Sequence, residues 1–224
     1  MVSINHGVWD GTPPGLNGEI EYEVILVRHA ESESNCKLMS GEGAGTDVNS
    51  SLTKLGEEQA AVVSRLIKRL YDADPTHTIV RTSPLDRAIR TAGFLGVVDP
   101  LLRERNTTRL GTKLEELSCC FRKRVETVLR EIESEAKAFR AEEPGCRLRF
   151  ILVTHSLFIS ECIAQMTESC GGGFVHLTNG SFTTALKTTF GWELTMIGGV
   201  YHLAPRQRTG GHTTLQWEKP TVQA

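Results

Sequence analysis

The chain has 224 residues, a net charge of −2, 39% hydrophobic residues and 23% charged residues. These values exclude a bulk electrostatic attraction to nucleic acid or to an anionic membrane, so any anion must be held by a local cluster of cations. The length suits one domain that buries about 70% of the surface its unfolded chain exposes. The polar, Gly- and Pro-containing stretch from Met1 to Ile20 lacks the apolar run of a signal peptide, and no stretch reaches transmembrane length. A reducing cytoplasm is therefore expected. The six cysteines show no C-x-x-C pair and no zinc spacing, and are expected to be plain thiols, with Cys119-Cys120 a weaker candidate for a redox pair. The expected organisation is an extension over 1–20, one domain over 21–204 and a polar tail over 205–224.

In chain order, Glu23 to Val27 is a continuous apolar-ended run, the pattern of a strand buried on both faces. Thr53 suits a helix cap, followed by Leu55, Val62, Val63, Leu66, Ile67 and Leu70 at helical spacing. Thr78 to Val80 is a second strand. Ser83-Pro84 opens another helix, with Ser at the cap and Pro at the first helical position. A long helix over 114–140 presents Leu117, Phe121, Val125, Val128, Ile132 and Phe139 on one side, and Pro144-Gly145 ends it. Arg149 to Val153 is a third buried strand, Ser156 to Thr167 a helix, and Gly171 to Gly173 a break. Residues 181–187 and 192–197 form a hairpin around Gly191. This order predicts an α/β fold, a three-layer sandwich on a mostly parallel sheet.

In open α/β sheets ligands bind beyond the carboxyl ends of the strands. The first strand ends in Arg28-His29, the second in Arg81-Thr82-Ser83 with Arg87 one turn later, and the third in Thr154-His155-Ser156. Two guanidiniums offer bidentate donors to a tetrahedral oxyanion, and the Ser83 helix would add free N–H groups. A neutral imidazole can attack phosphorus, and a second, if protonated, can stabilise the equatorial oxygens. One histidine at a strand end is ordinarily a hydrogen-bonded structural residue; His29 and His155 gain meaning from the arginines beside them. His6, His77, His176, His202 and His212 lack that context and are expected to be structural or exposed.

These residues also resemble a known family. Leu26 to Ser32 is similar to the Arg-His-Gly-Glu signature of the histidine phosphatase, or phosphoglycerate mutase-like, superfamily, with Ala30 where many members have Gly. Ser51 to Ala60 resembles its Leu-Thr-x-x-Gly-x-x-Gln-Ala helix start, Ser83 to Ala92 its second arginine motif, and Val153 to Ser156 its second histidine motif. Asn179-Gly180-Ser181, the Trp192 strand and His202-Leu203 follow its closing segment. The resemblance implies a phosphoglycerate mutase-like fold, His29 as the phosphorylated nucleophile, and Arg28, Arg87 and His155 completing the phosphate pocket. Asn35 and Ser83 would be secondary contacts. Leu102 to Arg105 resembles the segment that supplies the proton donor, which points to Glu104; Asn106 to Gly111 departs from the pattern. Arg90 is expected to pair with Asp86.

The expected activity is hydrolysis of a phosphomonoester through a phosphohistidine, with no cofactor and no metal. A phosphoglycerate mutase-type phosphotransferase and a non-catalytic phospho-ligand binding protein are the alternatives. The interval between Glu104 and His155, nearly filled by one helix, favours hydrolysis, because the mutases usually carry a longer insert there. The expected partner is a small phosphorylated substrate, with a phosphoprotein also open; no nucleic acid or membrane is implied, and the oligomeric state is left open. The Gly-rich residues 41–45 suggest a loop at the mouth of the site.

Overall fold

A computed structural model describes residues 18–41, 49–105, 116–168 and 175–210. Most of the 41–45 loop, the divergent 106–111 segment, the 171–173 break, both chain ends, His6, Cys170 and His212 lie outside the described residues.

The apolar runs become the centre of the sheet. Strand β1 (Ile20–Arg28) pairs in parallel with β4 (Leu148–Thr154), which pairs in parallel with β2 (Thr78–Thr82) and, beyond it, the two-residue β3 (Val97–Val98). On the other side of β1 runs the antiparallel hairpin β5 (Phe182–Thr188) and β6 (Gly191–Gly199), giving the order β3-β2-β4-β1-β5-β6. The sheet is therefore mixed, with its parallel part carrying the three strands read from sequence.

Because successive strand residues point to opposite faces, an uninterrupted apolar strand must be covered twice. Tyr22, Val24 and Leu26 of β1 and Phe150 and Leu152 of β4 face a core completed by α4 (Ser118–Glu142) and α5 (Ser156–Met166). Ile25 and Val27, with Ile151 and Val153, face a second core closed by α2 (Lys54–Ala73) and α3 (Asp86–Thr91). Phe121, Val125, Val128 and Ile132 form the buried stripe of α4, each contributing about 1.5–3 kcal/mol of transfer free energy.

Two helix readings need correction. The helix expected to open at Ser83-Pro84 begins at Asp86, with Leu85 at its cap. Ser83 is held earlier in the chain: its N–H donates to Val153 O at 2.9 Å, which extends the β2–β4 pairing by one residue. Leu117, expected on the apolar side of α4, precedes the helix and is 64% exposed. One helix went unread, α1 (Glu33–Met39), which has no apolar period and is capped by Ser32 and Asn35. The described beginning of the polar C-terminal segment packs inward: Gln207 is buried, and Gln59 Nε2 donates to Gln207 O.

Helix α2 grips the segment after β1. Thr53 caps it by accepting the Gly56 N–H, and Glu31 O accepts the Thr53 N–H at 3.1 Å. The fit leaves no room at Gly56, where a Cβ would stand 1.9 Å from Glu31 O. Gly56→Ala is expected to displace the Glu31 segment and cost about 1–3 kcal/mol, read as a fall in the thermal midpoint of several degrees; an unchanged midpoint would show that the two segments separate freely.

No described helix is long and apolar enough to cross a membrane.

Candidate active site

Backbone bonds at one edge of the sheet tie the end of β1 to β4 and β5, and the end of β2 to β3. His29 N donates to Thr154 O (2.9 Å), Arg28 N to Ser181 O (3.0 Å), Gly180 N to His29 O (3.2 Å) and Asp99 N to Thr82 O (2.8 Å). The chain just after β1 is also clamped by both helices of one layer. Ala30 N donates to Thr91 Oγ1 of α3 at 2.9 Å, and Glu31 N to Gln59 Oε1 of α2 at 2.7 Å. Ala30 is fully buried against Leu52 and Ala60, so its methyl group fills space that a Gly would leave open.

The structure brings His29, His155, Arg28, Arg87 and Glu104 together. The two imidazole centroids are 5.0 Å apart. His29 is 2% exposed, and its Nδ1 lies 2.7 Å from Ala30 O. A carbonyl only accepts, so Nδ1 carries the hydrogen and Nε2 presents its lone pair. Arg87 Nε donates to that Nε2 at 3.2 Å. Burial first, then Arg87, His155 and Arg28, push the His29 pKa well below the usual imidazole range, so the ring is neutral at pH 7.

His155 is fully buried, with Nε2 bonded to Ser83 Oγ at 2.7 Å. Its Nδ1 faces Arg87 Nη2 at 3.4 Å and Glu104 Oε2 at 3.9 Å. Burial, then Arg87, Arg28 and Arg124, depress its pKa, so the condition attached to its expected role, a protonated ring, is not met in the protein alone. Arg28 is buried, bonds Leu177 O, and has its pKa lowered to about 10, chiefly by burial.

Glu104 is 26% exposed in its side chain and lies beside this cluster. Burial raises its pKa to about 7, against the opposing pull of the Arg105 N–H, Arg87, Arg28 and Arg124. Its segment is pinned from below. Thr154 Oγ1 donates to Leu102 O at 2.7 Å, and Arg124 Nη1 donates to Leu101 O at 2.5 Å and Arg103 O at 2.8 Å. Arg124 is held in turn by Glu116, at 2.9 and 2.7 Å. Arg124 went unread as a site-building residue. The available signal was a cation on the apolar stripe of α4, between Phe121 and Val125.

The secondary contacts fall differently. Asn35 Oδ1 accepts from Ser32 N and Oγ, at 3.2 and 3.1 Å, and so closes the start of α1. Ser83 Oγ serves His155 and accepts the Leu85 N–H at 3.3 Å. The expected anion-binding helix N-terminus is partly spent, since Asp86 N donates to Asn49 Oδ1 at 2.8 Å. Arg90 pairs with Glu57 at 2.5 Å and with Asp86 at 3.9 Å. His202 supports the floor of the site: its Nε2 is 2.9 Å from Gly180 O and its ring stands edge-on to Phe182.

Residues 24–117 match the sequence model of the histidine phosphatase superfamily (branch 1). No curated protein sequence matches significantly. Among solved structures, a phosphoserine phosphatase mutant of Entamoeba histolytica in complex with phosphoserine superposes with a TM-score of 0.61 at 22% identity, covering 82% of this chain and 100% of that one. The mycobacterial glucosyl-3-phosphoglycerate phosphatase superposes with a TM-score of 0.57 at 18% identity, over 80% of this chain and 99% of that one. At these identities the likeness is one of fold. The segment from 24 to 117 is thus similar to the histidine phosphatase superfamily, and the chain shares the phosphoglycerate mutase-like fold of these phosphatases.

Proposed function

We propose that the protein hydrolyses a phosphomonoester through a phosphohistidine formed on His29. The observation that carries this reading is the pairing of opposite protonation states: a neutral imidazole, its Nε2 lone pair held by Arg87, stands near a carboxyl group held up to about 7. A nucleophile must be unprotonated and a leaving-group acid protonated, and one environment supplies both.

In the proposed reaction His29 Nε2 attacks phosphorus in line with the departing alkoxide. Arg28, Arg87 and His155 hold the equatorial oxygens, and Glu104 donates its proton to the leaving oxygen. Arg87 Nε, which bonds the His29 lone pair, turns to the phosphoryl oxygens as the nitrogen is engaged. The arriving dianion supplies the negative charge that raises the His155 pKa, so its protonation accompanies binding. Glu104, now a carboxylate, takes a proton from the water that attacks phosphohistidine, which releases phosphate and restores the acid. The cationic side chains do the electrostatic work, and the step needs no metal.

Helix α4 occupies half of the short interval between Glu104 and His155, which favours water over a second substrate hydroxyl as acceptor. Known substrates of the structural relatives, phosphoserine among them, make small phosphorylated metabolites the first compounds to screen. With p-nitrophenyl phosphate and then such compounds, turnover is expected in the presence of a chelator. Activity lost on chelation and restored by metal would refute the metal-free step, and tight phosphate binding without turnover on any compound would favour a binding protein.

A further inference from the structure

At the opposite end of the parallel strands from His29, three potential metal ligands converge. His77 immediately precedes β2, Glu143 caps the C-terminus of α4, and Cys146 lies in the turn leading to β4. One ligand atom from each lies within 4.8 Å of the other two. His77 Nε2 and Glu143 Oε2 are already 3.2 Å apart. Bonds of about 2.0–2.3 Å in a tetrahedral zinc site place ligand atoms about 3.3–3.6 Å from one another. Only a small contraction is needed, and Glu143 is half exposed in its side chain and able to move.

The imidazole is oriented as a ligand should be. His77 Nδ1 lies 2.7 Å from Asp74 Oδ1, at the C-terminus of α2. Both carboxylates accept, so Nδ1 donates to Asp74 and Nε2 donates to Glu143; the Asp74 bond keeps the hydrogen on Nδ1, which leaves Nε2 as the nitrogen that gives up its proton to bind an ion. The ring also stands edge-on to Phe139 of α4 at 5.3 Å, which fixes its plane. A carboxylate behind a histidine that faces a thiol and a second carboxylate is the arrangement that holds a borderline-soft divalent ion.

We infer that His77, Glu143 and Cys146 form a binding site for one zinc-class divalent cation, with Asp74 as the residue that orients His77. Binding breaks the His77–Glu143 hydrogen bond, releases the Nε2 proton of His77 and the proton of the Cys146 thiol to solvent, and leaves a fourth position for water. The ion would tie together the end of α4 and the starts of β2 and β4. Strand register puts it about 20–25 Å from the candidate active site, so it acts on stability and not on turnover. The inference does not depend on the phosphatase reading.

Cobalt(II) titrated into the chelator-treated full-length protein is the test. The expected result is a thiolate-to-cobalt absorption band saturating at one equivalent and bleached by zinc, which binds such sites more tightly. The band should persist in His29→Ala and in the Cys119→Ser, Cys120→Ser double variant, and vanish in Cys146→Ser. Asp74→Asn should weaken cobalt affinity about 10–100-fold. Zinc should raise the thermal midpoint of the wild type and not of Cys146→Ser. A wild type without the band, or a band that survives Cys146→Ser, overturns the assignment; so does a zinc-induced shift that is equal in both proteins.

Discussion

Replacing His29 with alanine is expected to reduce phosphomonoester turnover by at least about 10⁴-fold, the scale seen when a covalent nucleophile is removed. Binding of inorganic phosphate should change far less, because Arg28, Arg87 and His155 remain. A uniform loss of affinity would mean that the substitution had collapsed the pocket. The decisive measurement is rapid quench with labelled substrate: the wild type should accumulate an acid-labile phosphoenzyme and the variant none. Equal turnover in both proteins would remove His29 from the chemistry. Folding should survive the change. The ring is neutral and makes one side-chain bond to Ala30 O and one to Arg87, so its removal leaves no buried negative charge exposed.

Glu104→Gln is expected to lower kcat about 10²–10⁴-fold on substrates with poor leaving groups, since the amide keeps the shape and cannot give up a proton. The loss should shrink for p-nitrophenyl phosphate, whose phenolate departs with little help. The pH profile separates a proton donor from a mere spacer. With a pKa of about 7, Glu104 is increasingly ionised above neutrality, so wild-type kcat/KM should fall as pH rises through 7, and that limb should be missing in the variant. Stability follows the same titration. A carboxyl whose pKa rises from 4.5 to about 7 on folding contributes fully below 4.5, and its contribution is lost as pH rises through 7. Above pH 7 the glutamine variant should therefore melt higher than the wild type. A variant with unchanged leaving-group dependence and an intact alkaline limb would assign the proton to another group.

The parallel core of the sheet was legible because uninterrupted apolar runs such as Val24 to Val27 have one economical solution, a strand covered on both faces. The residues following those runs then had to share an edge, and His29, Arg87 and His155 do. What stayed illegible depends on partners far along the chain. The six-residue helix α3 starts later than Ser83-Pro84 implies because Ser83 is committed to Val153 and His155, a competition that local propensity cannot register. Helix α1 has no apolar stripe; its first N–H is taken by Ser51 O. Gln59 reads as an ordinary polar helix residue, yet it is completely buried and bridges Glu31 to Gln207 and Thr209. The pattern told which residues were inside, and not which polar ones would be spent on holding others still.

The place of β1 in the sheet bears on how the molecule comes into being. Of the described strands it is made first, and it sits between β4 and β5, both of which lie more than a hundred residues downstream. At a synthesis rate of about 5–20 residues per second, its apolar edges wait on the order of ten seconds before either neighbour exists. Helices α2 and α4 can form locally in that interval, but neither core can close. The strand that presents His29 is thus the earliest part of the site to leave the ribosome and the last to be locked, which makes the newborn chain slow to fold and dependent on protection of one short segment.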